Sequence, residues 1–183
     1  MIKKSIRIFL SIIIFLGLLI VYLLSDSNPI YQNEDFRFIT KEVKNSQKEN
    51  LNHIVEIYNK IYKKTKENDC PCQFVSNSIP TNSHSSLAKK ALYYFKIKKD
   101  FTHDECLRFF LSKYDFCFHS IGIEQASQFY FKKNISQLNI NETLSLIAML
   151  KNSALYNPIR NKEKLRNRVL VFEKILDKSN PSN

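Results

Sequence analysis

Seventeen residues in a row, Ile8 to Leu24, carry no charge and are apolar at nearly every position. At about 1.5 Å of rise per residue this run is roughly 25 Å long as a helix, near the lower limit for crossing the hydrocarbon core of a bilayer. A buried helix of a soluble domain would be expected to show polar interruptions, and none occurs. Lys3, Lys4 and Arg7 stand in front of the run, and Ser25-Asp26-Ser27-Asn28-Pro29 follows it without an A-x-A-like cleavage site. The pattern predicts an uncleaved signal anchor rather than a removed signal peptide. Residues 1–24 would form a cytoplasmic tail and membrane helix, and residues 25–183 an extracytoplasmic domain, because the flanking cations favour an inside N-terminus.

All 17 acidic residues and 25 of the 28 basic ones follow the anchor, leaving the exported part with a net charge of about +8. A cationic domain tethered beside a membrane is drawn to anionic headgroups and phosphate-bearing lipids. Nucleic acid, the other usual partner of such charge, is not expected for an exported domain. Cys70, Cys72, Cys106 and Cys117 would meet an oxidising compartment, where pairing is possible. Cys70-Pro71-Cys72 is too tight for a common bridge, and the connectivity is open from sequence. Cys70-x-Cys72 with Cys117-x-His119 is a weak zinc pattern, since structural zinc sites use wider ligand pairs; no metal site is expected. His53, His84 and His103 show no mutual spacing.

Beyond the anchor the chain has a single glycine, Gly122, and its apolar residues recur at helical spacing. Leu51, Ile54, Val55, Tyr58, Ile61 and Tyr62 follow a 3.6-residue period. Ser85 is a candidate cap for a helix carrying Leu87, Ala91, Leu92, Tyr94 and Phe95. Thr102 followed by Glu105 forms a capping box ahead of Leu107, Phe110 and Tyr114, and Asn139 with Glu142 repeats it ahead of Leu144, Ile147 and Ala148. Asn161 opens a last helix with Leu165, Val169, Phe172 and Leu176 on one face. Residues 63–86, dense in Lys, Asn, Ser and Pro, read as a loop. Lys89, Lys90 and Lys96 read as a solvated helix face. No period-2 run appears, so the exported domain is expected to be mostly α.

Three ordered motifs carry more information. Ile121-Gly122-Ile123-Glu124-Gln125-Ala126-Ser127 leads into Tyr130-Phe131-Lys132-Lys133; then come Leu138 to Glu142 and Ala148; then Leu155-Tyr156-Asn157-Pro158-Ile159-Arg160-Asn161. Together they resemble the C-terminal half of glycosyltransferase family 51, the peptidoglycan transglycosylases that polymerise lipid II. That family shows Y-G-x-E-x-A-x-x-Y-F-G-K, L-x-x-x-E-x-A-x-L-A and Y-N-P-x-R-N before an arginine-rich helix. The resemblance is dense over 85–176 and thin over 34–84. It implies a lysozyme-like helical lobe behind one transmembrane helix, on the outer face of the cytoplasmic membrane.

The family reaction needs a carboxylate to take a proton from the acceptor 4-hydroxyl, and cations to hold the departing pyrophosphate. The resemblance implies that Glu34 is that base, since Glu34-Asp35-Phe36-Arg37-Phe38 matches E-D-x-x-F. Lys41 and Val43 then stand where His and Gly are expected. Arg37 and Gln73 are implied as substrate-binding residues, although Asp69-Cys70-Pro71-Cys72 has lost the family's S-T-I signature. Lys89-Lys90-Ala91-Leu92 puts Lys90 where the second catalytic carboxylate belongs, with Ser86-Leu87 in place of R-K. Lys90 reverses the local charge yet can contact a pyrophosphate. Glu124 and Glu142 match family positions and are expected to serve their helices. The implied partners are lipid II or a lipid-linked glycan, the cytoplasmic membrane and other cell-wall synthases. No cofactor is implied, although the family allows a divalent cation. Two functions compete: a transglycosylase using Glu34, and a non-catalytic scaffold that binds lipid-linked precursor or partner synthases. The missing carboxylate favours binding over turnover.

Overall fold

A computed structural model describes residues 2–63, 70–81 and 87–178. Asp69, His84, Ser85 and Ser86 lie outside the described residues, and with them the expected Ser85 cap. The described chain is helical, with α1 (Ile2–Leu23), α2 (Glu34–Ser46), α3 (Asn52–Tyr62), α4 (Pro71–Asn77), α5 (Leu87–Asp100), α6 (His103–Lys113), α7 (Ile123–Phe131), α8 (Ile140–Lys151) and α9 (Lys162–Asp177). Among the described residues there is no β-strand, and one antiparallel bridge joins Asp115 to Ile121. Within α1, Ile6–Leu23 is long and apolar enough to cross a membrane and is buried by nothing in the lobe.

The lobe has two apolar clusters. The first gathers Leu51 and, from α3, Ile54, Tyr58 and Ile61 with Leu144, Ile147 and Ala148 of α8 and Leu165, Val169 and Phe172 of α9. The second gathers Tyr31, Phe36, Ile39 and Val43 with Cys72 and Val75 of α4 and Tyr93 and Ile97 of α5. Helix α6 serves both, giving Leu107, Phe110 and Leu111 to the first and Cys106 and Phe109 to the second.

Both capping boxes form. The Glu105 N–H donates to Thr102 Oγ1 at 3.3 Å while Glu105 Oε2 accepts the Thr102 N–H at 2.7 Å. The Glu142 N–H donates to Asn139 Oδ1 at 2.9 Å and its carboxylate accepts the Asn139 N–H at 2.8 Å. Each pair satisfies two backbone donors that a helix start would otherwise leave open. Asn161 precedes α9 as expected but caps it with no side-chain bond; its amide instead donates to Ala154 O at 3.0 Å.

Three expectations change. Within the stretch read as loop, residues 71–77 form α4: Pro71 pre-sets the first turn, Val75 is buried, and Cys72 is joined to Cys106 by a disulfide. That bridge takes Cys72 out of any zinc set, and no metal-holding group of three or more His, Cys, Asp or Glu occurs among the described residues. On α5 the inward face is Tyr93, Lys96 and Ile97, while Leu87 is 86% and Phe95 55% exposed. Lys96 is thus no solvated lysine: it is 1% exposed, with its ammonium 5.5 Å from the centre of the Tyr31 ring.

Asp26 and Asp100 make that burial tolerable, with Asp100 at 2.8 Å and Asp26 at 2.5 Å from the Lys96 ammonium. Asp26 lies three residues past α1, so the pair ties the exit of the apolar helix to the lobe. Tyr31 Oη donates to Leu23 O at 2.9 Å and Lys99 Nζ to Leu24 O at 2.9 Å, which places donors on the open carbonyls at the C-terminal end of α1. Burial alone would pull Lys96 down, but hydrogen bonds and charges from Asp100 and Asp26 outweigh it and hold it above the ordinary lysine value. The Lys96 hydrogen bond, then its charge, holds Asp26 below the usual carboxylate range.

The junction's contribution to stability is therefore expected to be fully present below about pH 10 for the lysine, and to fall as pH rises through its folded value. For Asp26 it is present above about pH 4 and falls as pH drops through its folded value. The double variant Asp26→Asn/Asp100→Asn, which leaves a buried ammonium alone, should lower the denaturant midpoint more than Lys96→Met, which removes the buried charge. Gly122 offers a second test. It has φ 81° and ψ 156°, and a Cβ there would meet Ser112 O at 2.5 Å. Gly122→Ala should cost more than ~2 kcal/mol, read as a melting temperature lower by roughly 5 °C or more.

Candidate functional site

Asn33 organises the start of α2. Its Oδ1 accepts the Phe36 N–H at 2.8 Å, and its Nδ2 donates to Tyr93 Oη at 2.8 Å and to Ile30 O at 2.6 Å. One side chain thereby caps α2 and pins its first turn to α5. Tyr31, Phe36 and Tyr93 pack beneath, with ring centres 5.0 to 6.2 Å apart. Glu34 and Asp35 occupy the first turn of α2, where the helix dipole favours carboxylates. Lys90 lies on α5 one turn before Tyr93, and Lys89 sets its ammonium 5.5 Å over the Tyr93 ring. Gln73 is on α4, whose Cys72 and Val75 enter the same core as Phe36 and Tyr93.

The four sequence-derived residues thus rise from helices packed around one cluster. Glu34, Arg37, Gln73 and Lys90 are all exposed. Arg37 Nη2 donates to Gln32 Oε1. No described hydrogen bond or ion pair joins Glu34, Gln73 and Lys90 to one another. Sequence reading passed over Asn33 and Tyr93, although an Asn three residues before a buried Phe is an ordinary N-cap signal.

A cleft of about 910 Å³ lies elsewhere, and none of those four residues lines it. Its walls come from the Phe118–Ser120 loop, from Glu124, Gln125, Gln128 and Phe129 of α7, and from Asn50 after α2. Cys117, Phe118 and His119 have φ of 67°, 52° and 60°. Left-handed backbone costs a non-glycine residue roughly 1–2 kcal/mol. The bonds that hold it include Cys117 N–H to Asp115 Oδ1 at 2.8 Å and Phe116 N–H to Ser120 O at 2.9 Å.

Asn157 links Tyr130 to the Tyr156-Asn157-Pro158 turn. It is fully buried; its Nδ2 donates to Tyr130 Oη and to Ser153 O, each at 3.0 Å. Its Oδ1 accepts the N–H groups of Ile159 and Arg160. Tyr130 Oη in turn donates to Phe116 O at 2.6 Å, and burial, more than any charge, pushes that phenol up. The two motifs are one buried hydrogen-bond network that seats α7 on the turn before α9. Glu142 carries its cap and a Lys133 ammonium at 2.7 Å, which holds it below the usual carboxylate range. The free thiols stand apart, Cys70 at 3.7 Å from Tyr94 Oη and Cys117 at 3.3 Å from Ser153 Oγ.

An all-helical lobe behind a membrane-length helix, with its motifs at helix junctions, is the architecture expected of a transglycosylase domain. The chain belongs to that family: the transglycosylase family model matches residues 71–176. The match includes Gln73 and Lys90 and leaves Glu34 and Arg37 outside it. Penicillin-binding protein 1A of Aquifex aeolicus (strain VF5) is 32% identical over 90 residues, 49% of this chain and 12% of the relative. Penicillin-binding protein 1F of Bacillus subtilis (strain 168) is 28% identical over 98 residues, 52% of this chain and 14% of the relative. Penicillin-binding protein 1A of Escherichia coli (strain K12) is 28% identical over 90 residues, 49% and 11% respectively. The chain therefore spans about an eighth of the length of these relatives.

Because Asn157 satisfies four partners, Asn157→Ala is expected to cost about 2–4 kcal/mol and Tyr130→Phe about 1–2 kcal/mol. Their combined loss should fall short of the sum, as one shared bond is counted in both. Denaturant unfolding of the two single variants and the double variant measures this.

Proposed function

We propose that the chain is a membrane-anchored, peptidoglycan-glycosyltransferase-like protein that binds lipid II through its pyrophosphate, with a degenerate catalytic site. Residues 1–24 form the anchor and residues 25–183 the lobe on the outer face of the cytoplasmic membrane. The observation that carries the reading is the Asn33–Tyr93 hydrogen bond, which joins the Glu34 turn of α2 to the Lys89–Lys90 end of α5 in a transglycosylase-family scaffold. Glu34 is the candidate base; Arg37, Gln73 and Lys90 are the candidate substrate contacts. No step in this reading requires a cofactor.

Membrane proximity is supported independently. Lys99 binds the end of α1, and Phe95, one turn earlier on α5, is exposed together with Leu87. An exposed apolar ring one turn from that contact, Phe95, suits the headgroup boundary. A second, non-catalytic reading as a scaffold for lipid-linked precursor or partner synthases is favoured by Lys90, because an ammonium cannot act as the second carboxylate that the resemblance implies at that position.

The test is lipid II binding and polymer formation by the full-length protein in detergent, with Glu34→Gln and Lys90→Glu beside it. Binding should weaken roughly tenfold in Lys90→Glu, about 1.4 kcal/mol, and hold in Glu34→Gln. Slow polymer formation should disappear in Glu34→Gln. Absence of lipid II binding sinks the proposal; binding without polymer in the unaltered chain selects the scaffold.

A further inference from the structure

The groove between α8 and α9 contains none of the residues assigned to the lipid pyrophosphate. Its volume is about 320 Å³, and its walls come from Asn141 and Ser145 of α8, from Pro158, and from one face of α9. On that face Lys162, Arg166, Leu170 and Glu173 follow one another at helical-turn spacing, with Leu165 and Val169 as a largely buried floor. Two cations therefore stand at one end, apolar side chains in the middle and a carboxylate at the other end. Leu170 is 43% exposed, and Ile140 and Ile159, the sequence neighbours of Asn141 and Pro158, are 47% and 55% exposed. Exposed apolar side chains gathered around a polar-rimmed groove mark a contact surface.

The charges on this face are open. Among the described residues no ion pair holds Lys162, Arg166 or Glu173, whereas Lys96, Lys113 and Lys133 each hold a carboxylate. The first turn of α9 adds to the positive potential. Asn161 makes no side-chain cap bond there, and Lys162 and Lys164 flank the one acid of that turn, Glu163. The helix dipole favours carboxylates at this end, so the two lysines are set against it. An incoming carboxylate beside Lys162 would relieve that repulsion, and a second would meet Arg166 one turn further on.

We propose that this groove docks an amphipathic helical segment of a partner protein, with two carboxylates facing Lys162 and Arg166, apolar side chains over Leu165, Val169 and Leu170, and a cation facing Glu173. Carboxylates one turn apart on a helix match the one-turn spacing of Lys162 and Arg166, and the groove takes side chains rather than a folded surface. Glu173 decides against a purely anionic occupant, because a phosphate polymer or an anionic bilayer would be repelled at that end. Position agrees with this. Helices α8 and α9 belong to the first apolar cluster, whereas α1 is fastened to Tyr31 and Lys99 beside the second, so α6 stands between the groove and the membrane helix. A second copy of a chain with net charge +11 is a poor electrostatic match. Residues 179–183, Ser-Asn-Pro-Ser-Asn, contain no acidic side chain and do not supply the segment. The groove shares no residue with the proposed lipid II contacts, so the two readings stand or fall separately.

The test titrates a fluorescent helical peptide with the full chain in phosphatidylcholine nanodiscs and reads anisotropy. The peptide carries two glutamates one turn apart, leucines along the same face and a lysine at the far end. Saturable binding is expected, weakened at least roughly tenfold in Leu170→Asp and in the double variant Lys162→Glu/Arg166→Glu, where like charges face the peptide. All three positions are exposed, and the helix dipole favours glutamate at residue 162, so these changes leave the core intact. The double variant should bind again when the peptide's glutamates are exchanged for lysines, a rescue that a misfolded lobe cannot show. No saturable binding overturns the proposal, as do binding that survives both variants and failure of the exchanged peptide to rescue. Equal binding of a scrambled peptide of the same composition also overturns it. Exclusion of the peptide in phosphatidylglycerol nanodiscs, with binding kept in phosphatidylcholine ones, assigns the groove to the bilayer and overturns it too.

Discussion

Helix α6 is buried on two faces, and both halves of the lobe are built on it. Leu107, Phe110 and Leu111 form one stripe and Cys106 and Phe109 the next, each at i, i+3 or i+4 spacing. A helix with one apolar stripe could hold either α3, α8 and α9 or α2, α4 and α5, but not both groups. The Cys72–Cys106 disulfide reinforces the second side by fastening short α4 to this central helix across a sequence separation of 34. In the chain-entropy model a loop of that size contributes about 4 kcal/mol. Seven residues are too few to make a stable helix alone, so the position of Gln73 depends on that bridge and on the burial of Val75.

Local signals in the chain were the legible ones. Thr102 with Glu105 and Asn139 with Glu142 name their own helix starts, because each cap is completed within four residues. The α3 stripe was equally plain, since a 3.6-residue period needs no knowledge of the partner surface. Residues 71–77 were read as loop because their helix is secured by Cys106, far along the chain. The same limit hid Lys96, whose burial depends on Asp26, 70 residues earlier and just past the membrane helix. The inward face of α5 was obscured for a related reason: Leu87 and Phe95 look like core residues, but Tyr31 and Asn33 draw Tyr93 inward instead. The positive-φ loop carried no glycine to mark it, so the cleft beside it left no trace in the sequence.

The lysines of α5 show how one helix separates structural from functional charge. Lys96 is neutralised by two carboxylates, and its ammonium fastens the lobe to the membrane helix. Lys99 binds a terminal carbonyl of that helix. Lys89 lies over Tyr93 and is half-buried. Lys90 is left exposed, one turn before the Tyr93 that Asn33 binds. The lysines of α5 are thus divided between fastening α1 to the lobe, as Lys96 and Lys99 do, and remaining exposed at the surface, as Lys90 does.

That division bears on why such a scaffold would persist with Lys90 where a carboxylate is expected. Catalysis requires each carboxylate at a defined place, and one exchanged residue can impair it even where the base itself, Glu34 in the proposed reading, is kept. Attraction to a pyrophosphate needs positive charge near a surface and tolerates several arrangements. Exchanging a carboxylate for an ammonium moves the local charge by two units toward binding the same anion more tightly. On the proposed function, a ligand held more tightly would leave more slowly, so the exchange at Lys90 would trade turnover for retention. The buried Tyr130–Asn157 network and the capping boxes serve either outcome equally, because they fix the scaffold and take no part in the proton's path.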